Sequence, residues 1–119
     1  MPEGTYEKGL AAEARAEAYL QSRGMVPLAR RYRSPFGEID LVMLDGETLV
    51  FVEVKARSTG GAGMGLAAVG ARKRAKIVKT ALYYMTEHAV ECACRFDALE
   101  WTRDGWQHIV EAFTGSEFV

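Results

Sequence analysis

The chain has few of the features that mark secreted or membrane proteins. Its 119 residues contain two cysteines, Cys92 and Cys94, too few for the disulfide framework of a secreted domain. We expect both to be reduced, buried thiols. No apolar run approaches the roughly 18 residues that span a bilayer. The N-terminal segment MPEGTYEKG is charged and lacks an apolar signal core. These absences predict a cytoplasmic protein without a membrane partner.

Net charge is also almost absent. The chain carries 15 basic and 16 acidic residues, which give −1 at pH 7, so it is not a uniformly basic nucleic-acid coat. The basic residues are nevertheless clustered on either side of an acidic motif. The two clusters are Arg30, Arg31 and Arg33, and then Arg72, Lys73, Arg74, Lys76 and Lys79. Basic patches of this kind can lie beside an acidic metal site in a protein that is neutral overall.

What is present is the composition of an ordinary globular protein, 49% hydrophobic and 26% charged. This length predicts a single domain over 1–119, with a core at about 5–114. Hydrophobic periodicity and turn residues predict a mixed α/β fold in the order α-β-β-β-α-β-β. The predicted elements are 6–23, capped by Thr5 and stopped by Gly24, then 25–33, 38–44, 48–56, 67–88, 91–99 and 106–113, with a flexible loop at 58–65.

A hairpin carries the most informative side chains, Asp40, Glu53 and Lys55. The Asp-Gly dipeptide at 45–46 favours a two-residue loop, which would place Asp40 opposite Phe51 and diagonal to Glu53 at roughly 7 to 8 Å. A four-residue loop would instead place Asp40 directly opposite Glu53. In both registers the alternation of side chains puts the two acids and Lys55 on one face, and only an unbulged three-residue loop would separate them.

The opposite face of the hairpin is expected to be apolar and buried. It comprises Ile39, Leu41, Met43, Val50, Val52 and Val54. Strands that are apolar on both sides are covered, central strands, so the acids should lie beside a core. Unpaired carboxylates are costly there, and a bound cation relieves that cost. Magnesium takes oxygen ligands, and Asp40 and Glu53 would supply two, with the carbonyl of Val54 as a third.

Two further residues complete the predicted site. Lys55 follows Glu53 on the same face, where an amine orients or deprotonates the attacking water, or offsets charge on a phosphate. Glu13, on the first helix, would add a ligand directly or through water. The alternative is a set of surface ion pairs, in which Glu53 and Lys55 bridge neighbours and Asp40 merely begins a strand.

Several neighbouring residues receive weaker interpretations. Glu38 is expected to act as an auxiliary ligand, whereas Glu17 is expected to be exposed to solvent. Lys73 and Lys76 are spaced to meet phosphates on one helix face, although a solvated helix face has the same pattern. The predicted nucleic-acid contacts are Arg31, Arg33, Arg57, Lys73 and Lys76.

The motifs together resemble the YraN-like family of uncharacterised bacterial proteins (uncharacterised protein family 0102). The resemblance covers roughly 5–114. It consists of G-x-x-x-E at 9–13, G-E-I-D-L at 37–41, F-V-E-V-K at 51–55, a basic helix at 72–79 and C-R-F-D at 94–97.

That family is similar to the PD-(D/E)xK nucleases, among them the archaeal Holliday junction resolvases. Their helix glutamate, strand aspartate and E-x-K motif correspond in order to Glu13, Asp40, Glu53 and Lys55. The resemblance implies one restriction endonuclease-like α/β domain, with a mixed central sheet flanked by helices. It also implies Mg²⁺, with Mn²⁺ as a substitute, and branched or duplex DNA as substrate.

The activity implied is metal-dependent hydrolysis of phosphodiester bonds, selective for junction or branched DNA. Junction cleavage needs two cuts related by a twofold axis, so a homodimer is also implied. Two alternatives stay open. One is a non-catalytic nucleic-acid-binding module that keeps the acidic pocket, and the other is an adaptor protein that retains the nuclease fold.

Overall fold

The computed structural model describes residues 5–55 and 70–115 as two helices and five strands. The elements are α1 (Thr5–Ser22), β1 (Val26–Ser34), β2 (Gly37–Asp45), β3 (Thr48–Lys55), α2 (Ala71–Glu87), β4 (Cys94–Thr102) and β5 (Gly105–Phe113). The predicted mixed α/β class and the order α-β-β-β-α-β-β are therefore confirmed.

The strands form one mixed sheet in the order β1-β2-β3-β4-β5. β3 and β4 are parallel, and the other three pairings are antiparallel. Parallel neighbours need a crossover connection, and α2 lies within it. Because β3 and β4 run in the same direction, their carboxyl ends meet, and Lys55 pairs with Glu100.

The two helices pack on opposite faces of this sheet. The face under α2 contains Val42, Leu49, Phe51, Phe96, Ile77, Val78, Ala81 and Tyr84. The face under α1 contains Ala16, Leu20, Leu41, Met43, Val50, Val52 and Leu99. Coverage on both sides explains why β2 and β3 are apolar on both faces. Within the described parts of the chain, neither helix is long and apolar enough to cross a membrane.

Some predicted boundaries are displaced. α2 begins at Ala71, after an extended Gly70, and the predicted helical residues 67–69 lie outside the described residues. The predicted loop at 58–65, the last predicted residue of β3 and Arg57 lie outside them too. β4 begins at Cys94 rather than at 91. The turn that closes α2 reaches Val90, whose N–H donates to the carbonyl of Met85, with Ala89 in a left-handed conformation at φ 51°.

The cysteines are both free thiols, but their predicted burial is only partly correct. Cys92 is half-buried and packs against the core under α2. Cys94 is exposed, contrary to the prediction, because it is the first residue of β4 and lies beyond the covered centre of the sheet.

The β2–β3 hairpin has a two-residue loop, one residue later than predicted. Asp45 pairs with Thr48, so the loop is formed by 46–47. Gly46 adopts φ 63°, the left-handed conformation that glycine enters without steric cost.

This register corrects the predicted pairing. Val42 faces Phe51, where the sequence interpretation placed Asp40. The displacement is two residues, so side chains keep their faces through this part of the hairpin. Regular pairing ends at Leu41 and Val52, and the next position on each strand carries an acid. The two acids are therefore directly across from each other, as in the alternative register.

Side-chain alternation in β2 breaks at Asp40. Ile39 packs under α2, whereas the prediction placed it with Leu41 and Met43, which pack under α1. The neighbouring strand is distorted at the same level, where Arg31 has φ 48°. At this irregularity the Asp40 carboxylate turns toward β3.

Candidate active site

Where the regular pairing of the hairpin ends, the carboxylates of Asp40 and Glu53 each accept a hydrogen bond from a backbone N–H of the opposite strand. Asp40 Oδ2 accepts a hydrogen bond from the N–H of Val54 at 2.8 Å. Glu53 Oε2 accepts one from the N–H of Asp40 at 3.4 Å. These crossed bonds hold both acids between β2 and β3.

Glu53 is buried, and Asp40 is half-buried. Glu53 is 4% exposed, and burial together with the negative charge of Asp40 raises the pKa of Glu53 to about 7. Burial also raises the pKa of Asp40, although the N–H of Val54 and the charge of Lys73 oppose the increase. Two buried groups of like charge disfavour joint ionisation, so the pair is stabilised by a nearby cation.

Two lysines lie beside the acid pair. Lys73 Nζ, from α2, is 3.3 Å from Glu53 Oε1. Burial alone would lower the pKa of Lys73, but the charge of Glu53 and hydrogen bonds to Lys55 and Glu53 raise it overall. Burial and then the charge of Lys73 lower the pKa of Lys55. The surroundings therefore favour the charged form of Lys73 and disfavour that of Lys55.

Glu13 approaches from the α1 side of the sheet. It is buried, and its Oε1 accepts a hydrogen bond from Arg31 Nε at 2.7 Å. Burial raises the pKa of Glu13 in spite of that bond, and the charge of Asp40 adds to the increase. Among residues 5–55 and 70–115, no three His, Cys, Asp or Glu side chains converge as a metal-binding set. The structure thus joins Asp40 with Glu53, whereas Glu13 interacts with the charge of Asp40 and is held by Arg31.

Glu17 is buried, whereas the sequence interpretation expected it to be exposed to solvent. It is 9% exposed and forms an ion pair with Arg30. Glu17 lies one helical turn beyond Glu13 on the same face of α1. The positive φ of Arg31 breaks the alternation of β1, so that two consecutive arginines both reach α1. Burial of Glu17 is thereby compensated by an opposite charge.

The remaining predicted residues lie around the rim or outside the described structure. Glu38 is half-buried and accepts a hydrogen bond from Arg33 Nε at 2.9 Å. Lys76 is exposed on α2, one turn beyond Lys73. Arg57 lies outside the described residues. The predicted nucleic-acid contacts therefore stay predictions.

Glu100 is a buried acid that the sequence interpretation missed. It is the register partner of Lys55 in the parallel pair β3–β4. Leu99 packs under α1, so the alternation of β4 directs Glu100 to the face under α2. The signal was an acid inside a largely apolar strand, but only the parallel register places it beside Lys55.

Fold and site together define a mixed α/β protein in which a buried and a half-buried acid lie together, flanked by two lysines. The profile of the Uncharacterised protein family UPF0102 matches residues 12–100, a range that contains all of these side chains. The chain belongs to this family, which confirms the family predicted from the motifs.

Individual relatives support the same assignment. A UPF0102 protein of Methylobacillus flagellatus is 46% identical over 106 residues, which cover 87% of this chain and 93% of the relative. One from Chlorobium chlorochromatii is 48% identical over 98 residues, covering 82% and 76%. One from Aeromonas hydrophila is 46% identical over 109 residues, covering 89% and 84%.

Proposed function

We propose that this protein is a metal-dependent nuclease that hydrolyses phosphodiester bonds in DNA. The observation that carries the proposal is the pair of Asp40 and Glu53, in which burial of Glu53 and the charge of Asp40 raise the pKa of Glu53 to about 7. Such a pair suits Mg²⁺ or Mn²⁺, since hard cations take one or two carboxylates together with water and substrate phosphate. Asp40 and Glu53 would hold the ion, with the carbonyl of Val54 and, through water, Glu13.

The chain's own side chains suit phosphodiester hydrolysis. A bound divalent cation supplies Lewis-acid stabilisation of phosphate charge and a more acidic water. Lys55, whose pKa is lowered by burial and by Lys73, is suited to take a proton at Nζ from the attacking water. Lys73 and Lys76 would contact backbone phosphates. Arg31, Arg33 and Arg57 would extend that contact.

The substrate and assembly follow from the resemblance to junction resolvases. We infer that the substrate is branched or duplex DNA and that a homodimer presents two sites related by a twofold axis. The cytoplasmic location expected from the sequence also stays a prediction.

A second candidate function is a nucleic-acid-binding module that does not cleave. One observation favours it: Glu13 is already bound by Arg31, and Glu53 by Lys73, so both acids have cationic partners without a metal. An adaptor that retains the fold is a third candidate.

Cleavage of a panel of labelled DNAs separates these functions. The panel contains duplex, flap, single-stranded and four-way junction DNA in Mg²⁺ or Mn²⁺. We expect cleavage that falls by about a thousandfold or more in Asp40→Asn and in Glu53→Gln. Glu47→Gln is the matched control, because Glu47 is an exposed acid in the loop of the same hairpin. Tight binding without cleavage in any divalent cation would establish the binding module, and neither binding nor cleavage would favour the adaptor.

A further inference from the structure

We propose that Lys73 is an exchangeable counter-ion, which neutralises Glu53 in the metal-free protein and moves to a substrate phosphate when a divalent cation binds. The inference rests on the proposed nuclease function. It assigns Lys73 two opposite effects, since the residue competes with the metal and assists the nucleic acid.

The contact between Lys73 and Glu53 has the geometry of a removable cation. The carboxylate side chain is 5% exposed, whereas the side chain of Lys73 is 45% exposed and reaches inward to place Nζ 3.3 Å from Oε1. A lysine side chain has a flexible four-carbon stem, so its ammonium can withdraw to solvent without movement of the helix. The Glu53 carboxylate is therefore fixed in place, whereas the Lys73 ammonium is able to move.

Competition for the carboxylate follows from charge. Asp40 and Glu53 supply at most two negative charges, and Lys73 and Lys55 lie beside them. A divalent cation that takes the same oxygens is repelled by an ammonium group a few ångströms away. Lys73 is the more exposed of the two lysines, so it is the one that can leave.

The position of Lys73 in α2 supplies a second, independent reason for exchange. Lys73 lies in the first turn of the helix, which begins at Ala71 after Gly70, and this turn has no acidic residue and no side-chain cap. A cation is disfavoured near a helix N-terminus, where the free N–H groups favour an anion. Apart from the acid pair, this turn offers Lys73 no carboxylate, whereas a phosphate would satisfy both the ammonium and the helix terminus.

Two titrations on the full chain test the exchange. Calorimetric titration of Mn²⁺ should show about tenfold tighter binding to Lys73→Gln than to the wild type, because a competing charge is removed. Lys76→Gln, one turn further along the helix and exposed, should bind Mn²⁺ like the wild type. Lys73→Arg keeps the charge and should stay close to the wild-type affinity.

The second titration measures duplex DNA binding by fluorescence anisotropy in Ca²⁺, a hard cation that also takes oxygen ligands. Both Lys73→Gln and Lys76→Gln should weaken DNA binding, by about threefold to tenfold, because each removes a phosphate contact. The substitution at Lys73 therefore changes metal and DNA affinity in opposite directions, and the substitution at Lys76 changes only the DNA affinity.

The outcomes distinguish this inference from the function on which it rests. Equal or weaker Mn²⁺ binding by Lys73→Gln, with metal-dependent binding intact in the wild type, would overturn the exchange and leave the nuclease proposal standing. Absence of Mn²⁺ binding in both proteins would overturn both. Binding that persists in Asp40→Asn would place the ion elsewhere and likewise refute both.

Discussion

Two aspartates, Asp40 on β2 and Asp97 on β4, occupy comparable places in the sheet. Each accepts a backbone hydrogen bond from the adjacent strand where regular pairing is interrupted. The donors are the N–H of Val54 at 2.8 Å and the N–H of Glu111 at 3.0 Å. The register shift in β4–β5 lies between Phe96 and Ala98, on either side of Asp97.

The groups that lie next to the two carboxylates differ. Asp97 is 0% exposed and is surrounded by donors, with Arg95 Nε at 3.1 Å and His108 Nε2 at 2.7 Å. Burial alone would raise the pKa of Asp97, but the bonds from His108, Arg95 and the N–H of Glu111 lower it overall. Asp40 instead lies across from Glu53, and burial raises the pKa of Asp40 in spite of the N–H of Val54 and the charge of Lys73.

Burial alone therefore does not identify a reactive acid. A carboxylate saturated by donors, like Asp97, stabilises an irregular strand pair. A carboxylate with a second carboxylate beside it, like Asp40, gains from an added cation and so suits metal chemistry. The two sites can be separated by applying the same substitution to each.

The largest stability difference is expected between Asp97→Asn and Asp40→Asn. Asp97→Asn should cost about 3 kcal/mol at pH 7, because Arg95 loses a buried counter-charge and His108 loses its contact with a carboxylate oxygen. Asp40→Asn should change stability by less than about 1 kcal/mol, since the amide oxygen still accepts the N–H of Val54 and repulsion with Glu53 is relieved. Urea unfolding followed by circular dichroism measures both.

The pH dependence provides the control for Asp97. Its pKa lies below the usual value of 3.8, so its contribution to stability is present above that value and is lost as pH falls through the folded pKa. The cost of Asp97→Asn should shrink correspondingly in acid. Equal costs for the two substitutions at pH 7 would remove the distinction between the sites.

A smaller effect, with the opposite pH dependence, is expected for Glu53→Gln. The pKa of Glu53 is raised from 4.5 to about 7, so the ionised form destabilises the fold increasingly as pH rises between these values. Glu53→Gln should therefore gain about 1 kcal/mol above pH 7, after loss of the contact with Lys73, and gain nothing below pH 4.5. Unfolding free energies measured across this range would show the gain, and the exposed Glu47→Gln should show none. A loss of stability at high pH would mean that Lys73 outweighs the repulsion.

A further comparison separates two arginines of β1. Arg31→Gln should cost about 1 to 2 kcal/mol, because it leaves the buried Glu13 without its 2.7 Å partner. Arg33→Gln should cost less than about 0.5 kcal/mol, since the side chains of Arg33 and Glu38 are 70% and 34% exposed. Urea midpoints of the two variants at low and high salt measure this difference. Similar losses of stability for both variants would show that Glu13 is no more enclosed than Glu38.

Local patterns in the sequence were sufficient for the element order and for the proximity of Asp40 and Glu53. A period of two in the strands predicts which side chains share a face over most of the hairpin, because it depends on neighbours within a few residues. The family could also be predicted from the sequence, because its motifs are short and local. The acid pair did not require the correct register, since a displacement of two residues preserves the face.

The tertiary structure decided the features that depend on distant residues. The break at Asp40, which moves Ile39 to the other face, arises because its carboxylate bonds Val54 on another strand. The parallel register that brings Glu100 to Lys55 joins strands separated by α2.

The tertiary structure also decided which charged side chains contact each other. The sequence by itself determined that basic clusters flank an acidic motif, but not which of these side chains meet. Glu17 is buried because Arg30 crosses to α1, and Lys73 contacts Glu53 because α2 packs over β3. The partners of long charged side chains depend on how whole helices and strands pack, and no local periodicity of the sequence encodes this packing. The sequence alone therefore specified the acid pair, and the fold selected its cation.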